Sequence, residues 1–153
     1  MKLVHLARRF VGALGSHEPA SADEAWVRSV LDDGEHRLWQ RQPAADRRHA
    51  IGVARSVPVE LAAAALLHDV GKTVSGLGPF GRVGATVLGW TGARRWRGRV
   101  GDYLRHDALG ADLLRAAGST ELTIAWAAEH HLPPDRWTVP PEIGAALKAA
   151  DDD

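Results

Sequence analysis

A chain of 153 residues with 19 Lys+Arg against 19 Asp+Glu is long enough for one domain with a substantial core, and carries no net charge to draw it to nucleic acid or an anionic membrane. It has no cysteine, so disulfides and thiolate metal sites are excluded, and any metal must sit on nitrogen and oxygen ligands. The expectation is a cytoplasmic protein with neither nucleic acid nor membrane as partner.

Along the chain, helix signals dominate. In the opening "MKLVHLARRFVGALG", Lys2, His5, Arg8 and Arg9 interrupt the apolar residues, and the uncharged run left over is too short for a signal segment or a membrane span. Leu3, Leu6, Phe10 and Leu14 recur at helical spacing and predict an amphipathic helix, with an interfacial anchor as the rival reading. "SADEAWVRSVLDD" reads as a helix opened by a capping box of Ser21 and Glu24. Asp23 falls in its first turn, and Trp26, Val27, Val30 and Leu31 keep an apolar rhythm. A short segment, "GEHRLWQRQ", runs to Pro43. The next helix is expected over Ala44–Ser56, with Ile51 and Val53 among its apolar positions.

Pro58 sits where first-turn prolines belong, opening the helix that carries "ELAAAALLHDVGK". Gly71 fits a glycine that ends this helix in a left-handed cap. Residues 73–100 are Gly-rich, with a short apolar helix expected around Val83–Trp90. Further helices are expected over Gly101–Ala117, Thr120–His131 and Pro141–Asp151, the last two joined by the Pro-rich "HLPPDRWTVPPE", which cannot be helical throughout. Domain bounds follow: N-terminal helices over 1–42 packed on a core over 43–153, one domain overall.

The chemistry collects on these helices. His68 and Asp69 are adjacent at the end of a helix too apolar to face water, and burying an imidazole beside a carboxylate is costly unless something binds them. His49, His106, the pair His130–His131 and Asp151 fall on, or at the end of, other expected helices. Neighbouring helical residues point about 100° apart, so His68 and Asp69 reach one cluster only from a helix end or a close edge approach, and Gly71 supplies such an end. Imidazole and carboxylate suit Mn, Fe, Zn, Co and Ni. Seven such groups exceed one ion's shell but suit two ions sharing Asp69. On that count His49, His68, Asp69 and Asp151 serve one ion, and Asp69, His106, His130 and His131 the other. Each residue alone also has an ordinary reading: a surface or satisfied core histidine, a polar helix end for His130–His131, an acidic terminus for Asp151. His5, His17 and His36 keep that ordinary reading.

The order H…HD…H…HH…D, centred on "LLHDVGK", resembles the HD-domain superfamily of metal-dependent phosphohydrolases over about Asp46 to Asp151. The doubled His130–His131 and "RHDALGADLL" most resemble the HD-GYP branch, whose members hydrolyse cyclic dinucleotides at two- or three-metal sites. The resemblance implies an all-α helical bundle of about six to eight helices around a metal site, with His49, His68, Asp69, His106, His130, His131 and Asp151 as ligands. It also implies that Lys72 contacts substrate phosphate. Two departures bear on this. "LPPDRW" stands where the branch carries its Gly-Tyr-Pro element, and Ala45 stands four residues before His49, where a trinuclear site would place Glu. Two divalent ions are therefore expected rather than three. With only two residues after Asp151 in the sequence, little is expected to brace that ligand's helix.

The expected activity is hydrolysis of a nucleotide phosphomonoester or phosphodiester by a hydroxide bridging the two ions, with Asp69 orienting it and Lys72 neutralising charge on the phosphoryl oxygens. Arg94 and Arg95, with Arg97 and Arg99, are candidates for added phosphate affinity or simply a basic solvated loop, and Trp96 among them invites base stacking. A di-iron oxygenase on the same ligand set and a non-catalytic nucleotide-binding module are the alternatives.

Overall fold

The computed structural model describes residues 17–75 and 105–152. The expected N-terminal helix, the Val83–Trp90 helix, His5, Trp96 and the arginines at 94, 95, 97 and 99 lie outside them. Among the described residues every regular element is helical: α1 (Ser21–Val30), α2 (Asp33–Gln40), α3 (Ala44–Arg55), a 3₁₀ turn (Val59–Leu61), α4 (Ala62–Leu67), α5 (Lys72–Ser75), α6 (His106–Ala117), α7 (Glu121–Glu129), a 3₁₀ turn (Pro134–Arg136) and α8 (Pro141–Asp152). None of these helices is long and apolar enough to cross a membrane.

The "AAAALL" of α4 is the centre of the bundle. Ala62, Ala64, Ala65, Leu66 and Leu67 are buried, and α3 and α7 pack on either side of it. Alanines let those neighbours approach closely, while Leu66 and Leu67 fill the space beyond. Trp39 and Trp126 are among the largest fully buried side chains, and Val27, Leu31 and Leu38 from α1 and α2 enter the same apolar cluster.

Several helix ends differ from expectation, each for a local reason. Ser21 is the first residue of α1 and Ala20 its N-cap, with no side-chain cap; Glu24 instead receives Arg47 Nη1 at 2.8 Å across the bundle. The capping box that does form belongs to α2. Asp32 accepts from the Glu35 N–H at 2.9 Å, and Glu35 accepts from the Asp32 N–H at 3.2 Å. Pro58 precedes a 3₁₀ turn, so α4 starts only at Ala62. Helix α6 starts at His106 with Arg105 as its N-cap, outside the helical region; residues 101–104 of the expected helix lie outside the described residues. Helix α7 stops at Glu129, two residues earlier than expected, ahead of Pro133 and Pro134, which have no N–H to continue it.

A left-handed glycine does close a helix, but at Gly118 after α6, where φ is 85°. Ser119 N–H reaches back to Leu114 O at 3.1 Å, satisfying a carbonyl the helix leaves open. Added Cβ atoms meet nothing within 4 Å there, so Gly118→Ala isolates the backbone cost. A loss of about 1 kcal/mol is expected, or about 3 °C in Tm by thermal circular dichroism.

Candidate metal centre

Four discontinuous stretches and the last turn of α8 deliver the polar groups. Helix α4 ends at Leu67, His68 is its C-cap, and the chain tightens into successive turns: Val70 N–H bonds Leu67 O at 3.1 Å and Lys72 N–H bonds Asp69 O at 3.0 Å. The carbonyl of Leu66 takes a side-chain partner instead, the Gln42 amide at 3.3 Å. This early end is what lets two consecutive residues face one point.

Gly71 serves that point differently from the expected cap. Its φ is not in the left-handed region, since Gly118 alone holds a positive φ among the described residues. A Cβ at Gly71 would fall 1.8 Å from the carbonyl oxygen of His106 and 2.6 Å from the Gly110 nitrogen. The glycine lets the first turn of α6 lie directly on the turn after α4, which sets His106 beside Asp69. Gly110, not singled out by its sequence, is the other half of this contact.

Asp69 is the hub. Its Oδ1 lies 3.5 Å from His106 Nε2 and 3.6 Å from His130 Nε2, its Oδ2 lies 3.5 Å from His68 Nε2, and the Lys72 ammonium donates to Oδ2. Asp151 Oδ1 accepts from or shares a proton with His49 Nε2 at 2.9 Å and lies 3.5 Å from His68 Nε2. His131 Nε2 and His106 Nε2 are 3.2 Å apart. Two ligand-spaced sets result, Asp69–His106–His130–His131 and His49–His68–Asp151, the chosen atoms of each within 4.8 Å of one another. The structure therefore brings together all seven residues singled out in the sequence. His17 is exposed at the surface, and His36 stacks on Trp39 with ring centroids 6.0 Å apart.

The imidazoles are prepared for coordination. His68 Nδ1 bonds the carbonyl of Ala65 at 2.8 Å, and His130 Nδ1 bonds those of Ala127 at 3.1 Å and Trp126 at 3.2 Å. A carbonyl can only accept, so in the neutral rings Nδ1 carries the proton and Nε2 presents its lone pair, the arrangement usual for metal-ligating histidines. Both Nε2 atoms are buried and have no hydrogen-bond partner. A buried lone pair left over in this way costs free energy unless something binds it, and a cation beside Asp69 would do so.

Charge balance agrees. Burial pushes the Asp69 carboxyl up, but the Lys72 ammonium, then His68, His106 and His130, outweigh it and hold the acid well below the usual carboxylate range. Burial likewise lowers His68, yet the Asp69 and Asp151 carboxylates prevail and raise it; in effect the acids favour positive charge at that point. His130 is lowered by burial. His131 has an exposed edge, but desolvation of its ring and the neighbouring His130 and His106 bring it down to about 2. His130 and His131 are thus neutral near pH 7, the form that binds metal.

A family model described as HD domain matches residues 46–152. No curated protein and no solved structure matches the chain significantly.

Proposed function

The chain belongs to the HD domain family, and from that premise we propose that it is a metal-dependent phosphohydrolase acting on a small phosphoester, a nucleotide by preference, in the cytoplasm. That family consists mostly of metal-dependent phosphohydrolases, and the His/Asp cluster is compatible with such a centre. The observation that carries the reading is the pair of buried, unpartnered Nε2 atoms of His68 and His130 facing one carboxylate.

On this proposal Asp69, His106, His130 and His131 would hold one divalent ion. A second would be held by His49, His68 and Asp151, near enough to Asp69 for that carboxylate to serve it too. Bound ions of this kind activate water near neutral pH and neutralise phosphoryl oxygens. The chain's own residues do the rest. Ala65, Trp126 and Ala127 carbonyls fix the rings of His68 and His130. Substrate would enter past the partly exposed His49 and the exposed His131.

Lys72, which donates to Asp69 Oδ2 in this structure and keeps 13% of its side chain exposed, would contact a phosphoryl oxygen of the substrate. Arg94 and Arg95 are proposed to add affinity for the same phosphate. Lys72→Met is expected to lower kcat by about 100-fold, the order seen when one charge-stabilising donor is removed, without loss of bound metal. Steady-state kinetics with metal counting checks this, and a fall in metal content in place of kcat contradicts the role.

The reading is tested by loading the full chain with Mn, Ni or Fe and screening phosphomonoesters, phosphodiesters and cyclic nucleotides while monitoring dissolved oxygen. Phosphate or nucleotide release is the expected result. Oxygen consumption with tightly held iron and no phosphoester turnover would move the assignment to the oxygenase alternative.

A further inference from the structure

Glu129, the last residue of α7, is a buried carboxylate outside both ligand-spaced sets. Its Oε2 accepts from the N–H of Thr138 at 2.6 Å and of Val139 at 3.4 Å, and its Oε1 accepts from the Thr138 hydroxyl at 2.6 Å. Three donors from one short stretch converge on this carboxylate and fold residues 132–139 back against the end of α7. The folded connection is tied down further by Trp137. Its indole N–H donates to Leu132 O at 3.0 Å, and its ring meets Trp126 edge-on with centroids 5.5 Å apart. The same ring lies on Gly144 of α8, where a Cβ would fall 2.4 Å from it.

Glu129 therefore holds the connection that leads into α8, and Asp151 lies at the far end of that helix. Twelve residues make a rod of about 18 Å, so a tilt of about 7° at its entry swings the far end by about 2 Å, the length of one metal–ligand bond. His130, although bonded directly to Glu129, is insulated from such a shift because its ring is held by carbonyls of its own helix.

We propose that Glu129 is a positioning residue that couples the two halves of the metal centre. Through the 132–139 connection it keeps Asp151 in register with His49 and His68, while the Asp69–His106–His130–His131 set stands without it. The inference rests on the two-ion reading above.

The test is titration of the metal-stripped full chain with Mn²⁺, counting free ion by electron paramagnetic resonance. Wild type is expected to bind two ions. Glu129→Ala keeps one at unchanged affinity and loses affinity for the other by about 10–100-fold, the range for removing a partner that orients metal ligands. Glu129→Gln restores both, because its carbonyl oxygen accepts from the two amides and its NH₂ donates to the Thr138 hydroxyl oxygen. Thr138→Val, at an exposed position, removes one of the three bonds and weakens the same ion alone by a smaller factor. If Glu129→Ala does not fold, Thr138→Val carries the test with the same asymmetry expected. Equal weakening of both ions, wild-type binding in every variant, or Glu129→Gln as weak as Glu129→Ala overturns the inference and leaves the metal-centre reading standing. Wild type binding no Mn²⁺ overturns both.

Discussion

Asp69→Asn is expected to strip the centre of its ions and abolish phosphoester turnover while the helices stay folded. The buried carboxylate faces His106 and His130 with one oxygen and His68 and Lys72 with the other. Asparagine preserves the shape but removes the charge and turns one acceptor into an NH₂ donor. The Asp69–His106–His130–His131 set then loses its one carboxylate, and on the two-ion proposal the second ion loses a shared anion as well. Partners that merely orient ligands cost about 10–100-fold in affinity when removed; loss of Asp69 itself is expected to exceed about 100-fold for the ion of its own set and, on the two-ion proposal, to weaken the other as well. On the proposed hydrolase reading, turnover is expected to fall with the metal. The control is Asp152→Asn one residue past the cluster, an exposed acid paired with Lys148 at 2.7 Å, where a surface ion pair is worth at most about 1 kcal/mol and no change in metal content is expected. Metal analysis and initial rates on both variants decide the matter; undiminished turnover by Asp69→Asn contradicts the assigned role.

Gly71→Ala is expected to damage stability and the centre together. The atoms a methyl group would strike, at 1.8 Å and 2.6 Å, are backbone of His106 and Gly110, which cannot rotate away as a flexible side chain could. The first turn of α6 must retreat from the turn after α4, and His106 moves with it. Overpacking of this kind costs about 3 kcal/mol, close to 10 °C in Tm for a chain of this size. The widened His106–Asp69 gap should weaken the ion of the Asp69–His106–His130–His131 set more than its neighbour. A thermal melt of the metal-free protein with Mn²⁺ titration measures both effects. A Gly71→Ala protein with wild-type Tm would show that the contact is not a constraint. Gly118→Ala makes the comparison informative, since that position has open space but a left-handed backbone.

The contrast between these glycines shows what could be read from sequence. Both follow a helix, and sequence distinguishes poorly between a glycine needed for its φ and one needed because another backbone passes close by. The second need exists only once α6 has docked. The "AAAALL" segment was legible as a buried helix because a run without side-chain hydrogen-bonding groups has nowhere else to go, and the all-helical fold followed from several such patterns. His68 and Asp69 stood out because they contradict that pattern, and His49, His106, His130, His131 and Asp151 because their order around that pair is distinctive.

Partners supplied by tertiary packing were hidden. The Ser21–Glu24 spacing matches a capping box, yet Glu24 is claimed by Arg47 from α3. The working box, Asp32 and Glu35, shows the same spacing in "DDGE" and was within reach of the same rule. Gln42 and Glu129 carry no motif at all. Their partners, Leu66 O, Thr138 and Val139, become neighbours only in the folded chain.

The central claim is that side chains from separate helices converge to hold divalent ions about Asp69. Anomalous diffraction at the manganese edge, from crystals of the Mn²⁺-loaded full chain, tests it most directly. The account expects two peaks, one bonded to His106, His130 and His131, the other to His49, His68 and Asp151, with Asp69 touching both. A loaded crystal with no peak beside Asp69, and with the Nε2 atoms of His68 and His130 bonded to water or protein instead, would contradict it.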